Sequence, residues 1–147
     1  MITKQRNLYE CKVVHTEVNE RGEAKRVKET VVTEAETISQ AEMRVLSYMV
    51  GCEDVSVTKV SSMPVTAYIE DDARTGDEMF FIAMVDVTEL DEKTAKEKVI
   101  KYKYLVRAMD ILAVNRLIKE FMLMSDYEIS RIAHKNYVEV LFVEDVE

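Results

Sequence analysis

The residues of widest chemical repertoire in this chain are two histidines, His15 and His134, and two cysteines, Cys11 and Cys52. Imidazole and thiolate together form the ligand set of a zinc site. Cys11 and His15 fall on one face of an extended strand. At about 3.3 Å per residue they stand about 13 Å apart, too far to share one ion without a bend. A composite site from all four is disfavoured, and no metal or other cofactor is expected. There is no G-x-x-x-x-G-K-[ST], G-x-G-x-x-G, H-E-x-x-H, G-x-S-x-G or C-x-x-C. With no catalytic set at a working spacing, the chain is read as a non-enzyme. Two cysteines do not make a disulfide framework, and both are expected as small buried thiols in a reducing compartment. The acidic residues Glu70, Asp71 and Asp72 with Asp77 and Glu78 lack the spacing of a calcium loop and read as a solvated linker.

A second constellation is the stretch 96–107, where lysines interleave with tyrosines on an expected strand. Tyr102 and Tyr104 beside Lys96 and Lys98 form a chemically sensible platform for stacking single-stranded bases. Alternation, however, sends Lys101, Lys103 and Arg107 to the opposite face, and basic residues on an edge strand also discourage aggregation with no ligand needed.

The elements that position these groups are written twice. Val13 recurs as Val85, Thr16 and Glu17 as Thr88 and Glu89, and Val27 as Val99. After one extra residue Ala35 recurs as Ala108, Ile38 as Ile111 and Met49 as Met122. The run from Asp54 to Val60 faces the run from Asp126 to Ile132, with acid, apolar, hydroxyl and basic positions largely kept. Such self-similarity implies an internal pseudo-two-fold. Within each copy the order is strand, hairpin, strand, helix, strand, since Tyr9, Cys11 and Val13 alternate with polar residues as Phe81, Ala83, Val85 and Val87 do. The second strands are expected over about 25–35 and 96–107, with a bulge or longer loop in one copy to absorb the slip. Val65–Ile69 and Tyr137–Val143 read as further strands or as continuations past Pro64. The expected fold is α+β: an internal duplication of a ββαβ unit, mainly antiparallel sheet, with two helices packed on one face. One domain over 1–147 is expected, built from repeats at about 8–70 and 80–143 and joined by a polar linker, 71–78.

The first helix begins with Thr37 and Gln40, or Ser39 and Glu42, as its capping pair, and Gly51 is placed at its C-terminal cap. Ile38, Ala41, Val45 and Met49 form its buried stripe, and Ile111, Val114, Ile118 and Met122 that of the second helix. Each helix carries a further apolar strip: Met43, Leu46 and Val50 on the first, Met109, Leu112 and Leu123 on the second. These strips serve either to pack the helices together or as a surface for a protein partner or a second copy of the chain.

The 147 residues carry a formal charge of −8, from 28 acids against 20 bases. Residues 1–72 hold 9 bases and 13 acids and the remainder 11 and 15, so each half carries −4 and neither end forms a charged tail. Bulk charge therefore opposes adhesion to nucleic acid and to anionic membrane. With no apolar run near 18 residues and no leader pattern, the chain is expected to be soluble and cytoplasmic, without a membrane partner.

The opening Tyr9-Glu10-Cys11-Lys12-Val13, the turn Asn19-Glu20-Arg21-Gly22 and the returning Leu90-Asp91-Glu92-Lys93, in a two-copy layout, resemble the domain of unknown function numbered forty-four ninety-four, from gut bacteria and their phages. In the second copy Ala83-Met84 stands where Cys-Lys is expected, which argues against a cysteine-based role. The resemblance brings no activity or catalytic residues. It implies a phage or mobile-element context, in which small acidic proteins bind a host or replication component. The expectation is a non-enzymatic binding or assembly module acting through protein contacts. The alternative is a single-stranded nucleic-acid binder using Lys96, Lys98, Tyr102 and Tyr104.

Overall fold

Alternation around Cys11 and Val13 becomes strand in the computed structural model, which describes residues 1–72 and 74–145. Nine strands and two helices follow one another among the described residues: β1 (Ile2–Lys4), β2 (Leu8–Val18), β3 (Ala24–Glu34), α1 (Ile38–Tyr48), β4 (Glu53–Met63), β5 (Ala67–Glu70), β6 (Met79–Leu90), β7 (Glu97–Ala108), α2 (Ile111–Phe121), β8 (Asp126–Lys135) and β9 (Tyr137–Leu141). The fold is α+β, with mixed, mostly antiparallel sheets. The chain divides into two compact units, one of residues 7–64 with 136–147 and the other of residues 1–6 with 65–135.

In the first unit the sheet order is β4-β2-β3-β9. The β2–β3 hairpin closes over residues 19–23, where the Asn19 side chain accepts from the amides of Arg21 and Glu23, each at 2.9 Å. Gly22 takes φ 80, a conformation that suits a residue without Cβ. The α1 cap is Thr37, whose hydroxyl accepts from the Gln40 amide at 3.1 Å, which decides between the two capping pairs. Ala41, Val45 and Met49 of this helix pack on Cys11, Val13, Val31 and Leu141. Ile38, at the first helical position, lies off that stripe and is exposed.

In the second unit the order is β1-β5-β7-β6-β8, and α2 lays Val114, Leu117, Ile118 and Met122 on Phe81, Val85, Tyr104 and Val106. Asp110 caps α2, accepting from the Ala113 amide at 2.8 Å. Ile111 is exposed for the same reason as Ile38. The β6–β7 connection takes six residues, 91–96, against five in the β2–β3 hairpin. This difference in loop length matches the one-residue slip in the sequence pattern. Register consequently sets Val27, paired with His15, at the position of Ile100, paired with Val87, in place of Val99.

Several expectations change with the sheets. The two helices do not share one sheet face: each covers its own sheet. β5 and β9 are separate strands, running parallel to β7 and β3 respectively. β1 had no signal in the alternation. Gly51, φ 98, lies one residue beyond the C′ position after the Met49 cap. Within the linker 71–78, Ala73 lies outside the described residues. The acidic run is not simply solvated, since Glu70 is 7% exposed and accepts the Tyr68 hydroxyl proton at 2.7 Å. Asp71 pairs with Arg116, and Glu78 accepts from the amides of Thr75 and Gly76.

Candidate functional site

Of the six residues read as helix strips, Met43, Leu46 and Leu112 lie on the helices, whereas Val50, Met109 and Leu123 fall just beyond the helix ends. Met43, Leu46 and Val50 are exposed in the first unit, and Met109, Leu112 and Leu123 in the second, with Leu112 80% exposed. Leu112 is also a wall of a shallow apolar groove of about 540 Å³ at the start of α2, shared with Met79, Phe81, Asp110, Ile111 and His134. His134 lies over Phe81 with ring centroids 5.5 Å apart. No described helix is long and apolar enough to cross a membrane.

The aromatic strand is placed differently from expectation. Tyr102 and Tyr104 do share a face of β7, but that face lies under α2. Tyr104 is 3% exposed, meets Phe121 edge-on at 5.2 Å and points its hydroxyl at the Met122 sulfur, 3.6 Å away. The Tyr102 hydroxyl reaches Glu89 at 3.5 Å. Tyr104 is thus not open to a stacked base. Lys96 and Lys98 remain exposed. Alternation identifies two faces but not which one a helix covers.

A polar cluster unforeseen from the sequence lies in the first unit. His15 is buried at 4% exposure on the α1 side of β2, and its Nε2 meets the Glu29 carboxylate of β3. Glu17, two residues along β2 and exposed, brings a third donor, so that one ligand atom from each of His15, Glu17 and Glu29 lies within 4.8 Å of the others. Above them Tyr48 ends α1; burial raises its phenol first, then the charges of Glu139, Glu29 and Cys52. The Nδ1 of His15 is buried with no hydrogen-bond partner among the described residues. The hairpin itself brings these groups together, because Val13 pairs with Glu29 and His15 with Val27. Comparing the two similar stretches of sequence position by position for differences, as well as for likeness, would have found it. Cys11 is buried as expected, with its thiol pushed up to about 11, chiefly by burial, whereas Cys52 is exposed.

The fold and these sites define an α+β protein with exposed apolar helix surfaces and a half-buried cluster of one histidine and two carboxylates. The chain belongs to the family described as a domain of unknown function, DUF4494, whose model matches residues 7–143. No curated protein and no solved structure matches it.

Proposed function

We propose that this protein is a non-enzymatic binding or assembly module, cytoplasmic and encoded in a phage or mobile-element setting, that works through protein–protein contacts. The observation that carries the reading is the apolar groove at the start of α2, where Leu112, Ile111 and Met79 are exposed together. Singly exposed apolar side chains are ordinary, but a contiguous set marks an interaction surface. Flexible methionines beside it suit an adaptable contact. The two ββαβ runs are read as copies of one ancestral unit. In support, the sheet orders β4-β2-β3 and β8-β6-β7 correspond, and both edge pairings step register at the same place, Lys12/Val13 and Met84/Val85.

The test is Leu112→Glu, compared with wild type in sedimentation and in capture from the natural host. The module reading requires that wild type either self-associates or retains a discrete partner, and that Leu112→Glu weakens this while its circular dichroism is unchanged. A wild type that stays monomeric and retains nothing, or a variant that behaves identically, would sink it.

A further inference from the structure

The cluster under the end of α1 has a composition that the fold does not require. Val13 and Val85 each follow the register step between the first and the edge strand, and so occupy matching places in their sheets. Two residues further on stand His15 in one unit and Val87 in the other. Across the hairpin Val13 pairs with Glu29, and Val85 with Tyr102. The last residue of α1 is Tyr48, and that of α2 is Phe121. The second unit fills this corner largely with hydrocarbon and aromatic rings, with Val87, Tyr102 and Phe121 all packed in or against its core. The first unit puts an imidazole and a carboxylate there instead. Burying polar groups costs stability unless partners satisfy them, and the Nδ1 of His15 has none among the described residues.

We propose that His15, Glu17 and Glu29 form a binding site for a divalent first-row transition metal ion, zinc in preference to manganese. One ring nitrogen and two carboxylates are a mixed nitrogen and oxygen donor set of the kind these ions take, and zinc stands above manganese in the general affinity order. The donor atoms already lie within 4.8 Å of one another. Modest side-chain rotation brings them to the roughly 3–3.5 Å separation that a four-coordinate ion with bonds near 2.0–2.2 Å demands. Glu17 is on the solvent side, which leaves a route in and a coordination position for water.

The chelator-treated full chain is titrated with zinc chloride and, separately, manganese chloride by calorimetry, with the melting temperature followed in parallel. Wild type should bind one zinc per chain, more tightly than manganese, and melt higher with zinc present. Glu17→Gln, an exposed change that leaves the core alone, should weaken zinc binding at least about tenfold. His15→Val, which installs the residue found at the matching place in the other unit, should abolish saturable binding. Cys52→Ser should leave it unchanged, which separates the site from the exposed thiol. No saturable binding by wild type, equal affinity in wild type and Glu17→Gln, or loss of binding in Cys52→Ser would each overturn the proposal and leave His15 and Glu29 as a structural hydrogen-bonded pair. Should His15→Val fail to fold, Glu17→Gln decides.

Discussion

Ser130 donates its hydroxyl hydrogen bond to the carbonyl of Met84 at 3.2 Å, across a register step in which Met84 pairs with Arg131 and Val85 with Ile129. Ser130 is the extra residue of this bulge, and its side chain engages a carbonyl of the strand opposite. Thr58 does the same to Lys12 at 3.2 Å in the other sheet. Ser130→Ala should cost about 0.5–1.5 kcal/mol in chemical denaturation, the usual net worth of one hydrogen bond. A neutral result would mean that water replaces the hydroxyl at no cost.

Ile118 is fully buried on the inner face of α2, whereas Arg116 points outward to Asp71 and Glu120. Ile118→Ala should lose about 2–5 kcal/mol, whereas Arg116→Ala should change stability little. Comparable losses would show that α2 is rotated from this placement.

Met124 adopts φ 71 at the exposed turn after α2, where Gly51 serves after α1. A side chain in this left-handed region is strained, so Met124→Gly should stabilise the protein by about 0.5–1 kcal/mol, read as a higher midpoint in urea. Gly51→Ala should have the opposite sign. Destabilisation by Met124→Gly would place a contact on that side chain that outweighs the strain.

Burial, helped by the charges of Glu10 and Glu42, raises the Cys11 thiol from 9.0 to about 11. The folded chain then holds a proton that the unfolded chain releases, so this contribution is complete below about pH 9 and is lost as pH rises through about 11. Tyr68 and Tyr137 move in the same direction through burial and their hydrogen bonds to Glu70 and Glu10, which extends the loss above pH 10. Cys11→Ala, the residue that β6 carries as Ala83, should flatten the part of the stability profile between pH 9 and 11. Identical profiles would exonerate the thiol.

Tyr104→Ala should cost about 3–5 kcal/mol of stability, as a buried aromatic does, and should not act through ligand affinity. On the proposed protein-binding reading, wild type should fail to shift a labelled oligonucleotide at about 50 mM salt, where phosphate contacts are strongest. Salt-sensitive binding removed by Lys98→Glu with Lys103→Glu would revive the nucleic-acid reading, through the lysines without the tyrosine stack.

What the sequence determined by itself was local. Alternation from Tyr9 to Val13 and from Phe81 to Val87, the turn at Asn19–Gly22 and the stripe of Ala41, Val45 and Met49 identify strands, hairpin and helix, because side-chain period and turn chemistry act over a few residues. The exposed strips at Met43 and Leu112 were legible for the same reason. Tertiary structure decided which distant edges meet: β5 joins β7 and β9 joins β3, pairings that no local period encodes. It also decided which face of β7 lies under a helix, and so buried Tyr104 among Phe121 and Met122. His15 and Glu29 belong to both levels. Their hairpin register follows from the Asn19–Glu23 turn, but their burial comes from α1, whose position depends on the packing of its apolar stripe over Cys11 and Val13.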